Sequence, residues 1–168
     1  MLKENKNQKI LLIGVGNKFR QDDAVGLAIS RRLDALRIAE KFRNQLPPEI
    51  KIVEASGEGV ALMGLWQNTS IIYLFDAVIS GVEVGKIHRI DAQIETVPTK
   101  FFNYSTHAFS VAEAVELART LNQLPPKLII YGVEGKNFAH GIGLSPEVEE
   151  AIEEVVQQVL IELCVKPV

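Results

Sequence analysis

The sequence predicts an α/β protein: a single-domain three-layer sandwich with a twisted, mostly parallel five-stranded sheet and helices on both faces. Strand-length segments, most of them nearly all apolar, alternate along the chain with segments of helical periodicity. The length of 168 residues suits one domain of ordinary size. The sequence also contains no internal repeat and no low-complexity tract, so nothing in it indicates a repeat architecture or a second domain.

The first predicted strand is the apolar segment Lys9–Val15. It follows a polar lead, residues 1–8, which we expect to be flexible, so that the folded domain spans residues 9–168. Glycines break the strand at its end. A helix with one apolar face is expected from about Asp22, where acidic residues suit a helix N-terminus.

The second strand is predicted at Ile50–Glu54, and a turn with two glycines separates it from a short helix at about Val60–Trp66. The third strand, Ser70–Ala77, is nearly all apolar and ends beside an acidic residue. The fourth, Gly85–Asp91, alternates between polar and apolar residues, which indicates one face in contact with water. We expect residues 92–104, which contain a proline, to form a loop.

A third helix is expected to begin with Ser105 or Thr106 as its N-cap and to run to about Leu121, before the next pair of prolines. The last strand is predicted at Lys127–Val133. The last helix is expected after Ser145, a suitable N-cap, with Pro146 as its first residue and glutamates in its first turn. Strands and helices therefore alternate through the whole chain.

Composition excludes some partners and favours one compartment. The net charge is −3 and the cationic residues are scattered, which gives no electrostatic case for nucleic acid. The apolar run near the N-terminus is too short to span a membrane, so no membrane partner is expected. Cys164 is the only cysteine, so no disulfide can form within the chain. We expect a cytoplasmic protein.

Three polar residues follow or end predicted elements on one edge of the sheet. Asp23 lies in the turn after the first strand, Asp76 ends the third, and His107 begins the third helix. In such sheets ligands bind beyond the carboxyl ends of the strands, where the strand order reverses. If the first and third strands are neighbours there, both carboxylates and the imidazole can converge. Two carboxylates and one imidazole suit a divalent transition metal and leave positions open for water or substrate.

Taken alone, these residues leave other hypotheses open. Each of the three side chains can have an ordinary structural role, as a helix cap, an acceptor in a turn or a packed imidazole. Gly14 and Gly16 after a strand also suggest a dinucleotide-binding turn, with Glu54 as the acid that binds ribose. The third glycine of that fingerprint is replaced by Phe19, whose side chain would crowd a pyrophosphate.

Four short motifs occur in order along residues 9–163. They are Gly14-Val15-Gly16-Asn17 with Asp22-Asp23-Ala24-Val25-Gly26, then Phe75-Asp76-Ala77, Ser105-Thr106-His107 and Gly141-Ile142-Gly143-Leu144-Ser145. Together they resemble the hydrogenase maturation proteases, which process the large subunit of nickel–iron hydrogenases. Two positions depart from the family pattern. Ala24 stands where many relatives have glycine, and the segment 54–57 lacks the Asp-Gly-Gly or Asp-x-Gly-Thr motif that is common in the family.

The resemblance implies a doubly wound α/β fold and an endopeptidase that removes the C-terminal extension of a large-subunit precursor after nickel insertion. It places Asp23, Asp76 and His107 at the family's three metal-ligand positions, as the catalytic and metal-binding residues. The expected metal is nickel delivered by the precursor, although another divalent cation can bind in the isolated protein. The expected partner is the nickel-loaded precursor.

Two roles of the metal are open at this point: recognition only, or recognition together with assistance to hydrolysis, by polarising the scissile carbonyl or activating a bound water. Two alternatives to a peptidase remain at this point. One is a Rossmann-like dinucleotide-binding protein, and the other is a non-catalytic nickel or hydrogenase assembly chaperone.

Overall fold

The fold is known from a computed structural model that describes residues 9–39, 46–47, 49–103 and 107–164. Within these residues the chain forms one five-stranded sheet and four α-helices. The strands are β1 (Ile10–Val15), β2 (Ile50–Ala55), β3 (Ile71–Val78), β4 (Ile87–Asp91) and β5 (Lys127–Glu134). The helices are α1 (Val25–Ile38), α2 (Gly59–Trp66), α3 (Val111–Thr120) and α4 (Pro146–Cys164). Residues 1–8, which we expected to be flexible, lie outside the described residues.

The strand order is β2-β1-β3-β5-β4, so the order reverses between β1 and β3. Strands β2, β1, β3 and β5 run parallel, and β4 pairs antiparallel with β5. The first and third strands are therefore neighbours, which is the condition for Asp23 and Asp76 to converge, and the mostly parallel five-stranded sheet is confirmed. β1 and most of β3 and β5 are buried along their length, which is the reason their sequences are continuous apolar runs.

Helices cover both faces of the sheet. Side chains of α1 and α4 form one core layer with the sheet, around Leu12, Phe75 and Tyr131. Side chains of α2 and α3 form the other, around Ile13 and Leu74. The three-layer sandwich is therefore confirmed. None of the helices in the described part of the chain is long and apolar enough to cross a membrane.

The third helix begins later than predicted. Its N-cap is Ser110, whose backbone N–H donates to the Glu113 carboxylate at 3.0 Å while the serine hydroxyl also contacts that carboxylate. This reciprocal capping fixes the helix start at Val111. The expectation that His107 begins the helix is therefore wrong, because it lies in the loop before it. Ser105 and Thr106, the expected caps, lie outside the described residues.

The loop expected at residues 92–104 also contains some regular structure. Thr99–Phe102 form a short 3-10 helix, and the Phe102 side chain is buried in the core. The backbone N–H of Ile79 donates to the Phe101 carbonyl at 2.9 Å, which ties this turn to the end of β3. This 3-10 helix is thus anchored beside the carboxyl edge of the sheet.

Candidate active site

A cleft of about 430 Å³ opens at the carboxyl edge of the sheet, where the strand order reverses. The turns after β1 and β2, the end of β3 and the loop before α3 form its walls. Asp23, Asp76 and His107 all line it. This is the ligand-binding position of doubly wound sheets. Residues far apart in the sequence are therefore brought to one cleft, as the order of the elements predicts.

Asp23 lies in a 3-10 helix, Gln21–Ala24, that precedes α1, and its residue is only 8% exposed. Burial raises the pKa of its carboxyl group above the ordinary value. The positive charge of Arg20, a backbone hydrogen bond from Asn17 and the nearby His107 oppose this effect in part. The negative charge of Asp23 is therefore costly in the protein alone, and it interacts with the imidazole of the predicted set.

Asp76 is 4% exposed and lies near the end of β3, opposite Gly132 of β5. Its Oδ1 accepts a hydrogen bond from the backbone N–H of Ala77 at 2.8 Å. The other residues of β3 are apolar apart from one tyrosine. Asp76 is thus the one acidic residue of an otherwise largely apolar strand, and it lines the cleft.

His107 is half-buried in the loop between the 3-10 helix at Thr99–Phe102 and α3. Among the described residues, no group of three or more His, Cys, Asp or Glu side chains stands close enough to hold a metal ion. Asp23, Asp76 and His107 therefore share the cleft without forming a finished ligand set. A metal that bound all three would have to draw them together.

Gly16 allows the turn after β1 to pass against the backbone of Asp23. Its φ is +151°, and a Cβ at this position would lie 1.8 Å from the carbonyl oxygen of Asp23. No side chain fits that space. The glycine that suggested a dinucleotide-binding turn therefore has a packing role here, because it brings the Asp23 turn close to the end of β1.

Asp22 has a different role from the helix N-terminal one that its position suggested. It is fully buried, and its carboxylate accepts hydrogen bonds from the segment between β5 and α4. The donors are the backbone N–H groups of Lys136, Asn137 and Ser145 and the hydroxyl of Ser145, at 2.7–3.0 Å. Asp22 thus holds the segment between β5 and α4 against the 3-10 helix that carries Asp23.

Replacing Asp22 by asparagine is expected to lower the free energy of unfolding by at least about 2 kcal/mol at pH 7. The asparagine NH₂ group would face the buried N–H and O–H donors that the carboxylate accepts from, so hydrogen bonds would be lost. Burial opposes ionisation of Asp22, but its hydrogen bonds with Ser145, Lys136 and Asn137 outweigh this and lower its pKa. A lowered pKa stabilises the fold fully above the ordinary aspartate value, and the stabilisation is lost as the pH falls through the lowered one.

The difference between wild type and Asp22→Asn in urea unfolding should therefore be constant above pH 5 and shrink below about pH 4. Asp34→Asn, at an exposed position paired with Arg37, serves as the control and should cost less than about 1 kcal/mol. A difference for Asp22→Asn that stayed the same down to pH 2 would contradict the assignment.

His88 in β4 is largely buried. Its side chain is 18% exposed, and its Nε2 lies 3.1 Å from Oε2 of the buried Glu134. The hydroxyl of Ser80 donates to the same oxygen at 2.8 Å. This cluster fastens the connection between β3 and β4. His140 and Cys164 are both exposed and do not line the cleft.

The sequence matches proteins of known activity over most of its length. The profile of the family described as "Hydrogenase maturation protease" (HycI) matches residues 36–162. The Hydrogenase 2 maturation protease of Escherichia coli (strain K12) is 31% identical over 153 residues, which are 90% of this chain and 88% of that protein. The hydrogenase expression/formation protein HupD of Bradyrhizobium diazoefficiens is 25% identical and covers 88% of this chain and 74% of its own length.

Solved structures give the same result. The hydrogenase maturating endopeptidase HybD from E. coli matches with a TM-score of 0.76 and 31% identity, over 92% of this chain and 91% of that one. The NiFe hydrogenase maturation protease HycI from Thermococcus kodakarensis KOD1 matches with a TM-score of 0.67 and 19% identity, over 94% and 92%, and shares the fold. The chain belongs to the hydrogenase maturation protease family and is a peptidase.

Proposed function

We propose that this protein removes the C-terminal extension of a nickel–iron hydrogenase large-subunit precursor after nickel insertion, and that Asp23, Asp76 and His107 recognise the nickel. The observation that carries the proposal is the arrival of these three side chains at one cleft, at the strand-order reversal. Membership of a family whose relatives are named for hydrogenase maturation supports the substrate class.

The donor set fits nickel that is carried by the substrate. Imidazole is a common nickel ligand and carboxylates are acceptable ones, while three protein ligands leave positions for the precursor's own groups. Burial makes the negative charge of Asp23 costly, and a divalent cation would offset that cost. The side chains do not stand within ligating distance as a group, which suits an ion that arrives with the precursor and draws them together.

In this mechanism the three side chains hold and orient the metal centre of the precursor, so that the scissile peptide lies in the cleft. Nickel would supply Lewis acidity to the peptide carbonyl or to a water molecule. Cleavage then depends on nickel, because the contact of the three side chains with the substrate depends on nickel. A precursor without nickel presents nothing for the two carboxylates and the imidazole to bind, and is left intact.

We infer that water attacks the scissile bond. Cys164 is exposed at the end of α4, away from the cleft, so it is not placed as a nucleophile. Ser110 lines the cleft, but its hydroxyl is hydrogen-bonded to Glu113 and caps α3.

We also propose that the reaction takes place in the cytoplasm, since a chain with one cysteine forms no internal disulfide and has no need of an oxidising compartment.

Mass spectrometry of the precursor tests the function directly. Incubation of the nickel-loaded precursor with this protein should release the extension as a separate peptide, whereas the nickel-free precursor should keep its full mass. Binding of the loaded precursor without any cleavage would instead indicate an assembly chaperone. A thermal shift with a dinucleotide, and none with the loaded precursor, would support the dinucleotide-binding alternative.

A further inference from the structure

We propose that the outer edge of β2 is the docking strand for the precursor's C-terminal extension, which adds to the sheet as an extended antiparallel segment. The proposal rests on the proposed function, because it describes how the same substrate reaches the cleft. β2 is the terminal strand of the order β2-β1-β3-β5-β4 and pairs with β1 only. Within the described part of the chain, no strand covers its other edge.

The hydrogen bonds to β1 show which backbone groups of β2 point outward. The carbonyl of Ala55 accepts from the N–H of Gly16 at 3.0 Å. The carbonyl of Glu49 accepts from the N–H of Ile10 at 3.4 Å. Since backbone groups of successive residues in a strand point to opposite sides, the odd-numbered residues face β1. The residues whose N–H and carbonyl groups face the open edge are Ile50, Ile52 and Glu54.

The carboxyl end of this edge continues into the cleft. Glu54, Ala55, Ser56 and Gly57 all line the cleft that contains Asp23. Strands in a sheet lie about 4.8 Å apart, so a segment added to β2 would run about 10–15 Å from the ends of β1 and β3. That distance is roughly three to five extended residues. A peptide on the edge can therefore reach the site by turning over the end of β2.

The edge suits a peptide that is recognised through its backbone. Open strand edges offer rows of N–H and carbonyl groups that pair with any extended chain, and peptide-binding proteins commonly use them. β2 contains no proline, and Lys51 is its one cation. The scissile bond lies in the cleft, so the extension must run away from the cleft along β2. That direction is opposite to β2 itself, which makes the pairing antiparallel.

The test is a proline at Ile52, with the same change at Ile87 as its matched control. Proline at position 52 removes an N–H that faces the open edge and leaves the hydrogen bonds to β1 in place. Ile87 is the equivalent residue on the other terminal strand, β4, away from the cleft. Lys86, directly before β4, accepts a hydrogen bond from the N–H of Glu134 in β5 at 2.9 Å. The even-numbered residues of β4 therefore face β5, and the N–H of Ile87 faces outward. Both isoleucines are half-buried against the same core.

Initial rates of processing of the nickel-loaded precursor should separate the two variants. Ile52→Pro is expected to raise KM about tenfold or more, because a backbone hydrogen bond is lost and the ring blocks the edge, and to leave kcat within about twofold. Ile87→Pro is expected to leave both constants unchanged. Equal effects of the two variants, or a folded Ile52→Pro with the wild-type KM, would overturn the proposal.

A proline scan of the extension, with the wild-type protein, gives a second measurement that does not depend on the folding of a variant. In an antiparallel pair alternate residues of the extension bond to β2, so KM should rise at every second position. A response without this period of two would overturn the docking geometry. The competing occupant is a second copy of this chain. A dimer in sedimentation that Ile52→Pro abolishes, with processing unchanged, would also overturn it.

Precursor binding, measured beside cleavage, keeps this proposal separate from the proposed function. If the wild-type protein binds the loaded precursor but never cuts it, the proposed function fails. The edge is still tested in that case, because Ile52→Pro should weaken the binding about tenfold and Ile87→Pro should not.

Discussion

The nickel-loaded precursor is expected to remain uncut when Asp76 is replaced by asparagine. The amide has nearly the same shape and keeps an oxygen that can accept the hydrogen bond from Ala77 N. It lacks the negative charge that would bind a divalent cation. We expect the rate of processing to fall by at least about 100-fold, since even changes to groups that only support metal ligands cost about 10- to 100-fold.

Asp76→Asn should lose its activity without losing stability. Asp76 is almost fully buried, and removing a charge from such a position relieves a desolvation cost. Its melting temperature should therefore match that of the wild type or exceed it. The surface variant Asp34→Asn, which also removes one carboxylate charge, should process the precursor normally. Normal processing by a folded Asp76→Asn would remove Asp76 from the metal-binding hypothesis.

The same loss is expected for Asp23→Ala and His107→Ala, and their combination is more informative than either alone. If the three side chains hold one nickel ion, the first removal already abolishes recognition. A double variant should then be no worse than the single ones, because residues that act as one unit are strongly non-additive. Losses that multiplied would indicate separate roles.

The sequence predicted the sheet well, and it also predicted that Asp23, Asp76 and His107 lie at one edge of it, because both depend on short-range signals. β1, β3 and β5 are continuous apolar runs that end at glycines or acids, and such runs indicate buried parallel strands. Once the strands alternate with helices, the crossovers join parallel strands, and parallel strands have their carboxyl ends on one edge of the sheet. Asp23 and Asp76 follow from that rule without any knowledge of packing.

Other features depend on contacts that no local pattern shows. Ser110 and Glu113 compete with Ser105 and Thr106 as helix-start signals, and the capping box at Ser110 determines the outcome. The Asp22 carboxylate receives donors more than 110 positions away in the chain, so its role could not be derived from the acids near α1. The distances between side chains within the cleft could not be predicted either, because they depend on side-chain rotamers and not on the register of the strands.

The second large effect is expected at Gly26, the second residue of α1, where replacement by alanine should lower the free energy of unfolding by about 3 kcal/mol or more. A Cβ at this position would lie 2.2 Å from the carbonyl oxygen of Phe75 and 2.3 Å from that of Val15. Both contacts are with strand backbone, which cannot move aside as a flexible side chain can. The first turn of α1 must therefore shift away from β1 and β3.

Gly64 in α2 provides the matched control, because a Cβ there meets nothing within 4 Å. Alanine favours helix over glycine by up to about 1 kcal/mol, so Gly64→Ala should leave the protein as stable or more stable. Urea unfolding of the two variants measures the difference. A Gly26→Ala protein as stable as the wild type would show that α1 is not held against the strands as described.

The clash at Gly26 has a consequence for the site as well as for the fold. Asp76 directly follows Phe75, and the turn that carries Asp23 ends two positions before Gly26. Any outward shift of α1 therefore moves Asp23 relative to Asp76, and these are two of the three side chains proposed to meet at the nickel. At a temperature where Gly26→Ala is still mostly folded, processing should thus fall further than the folded fraction does. A loss of processing that matched the loss of folded protein would show that the spacing of the two carboxylates is less critical than the metal-binding hypothesis requires.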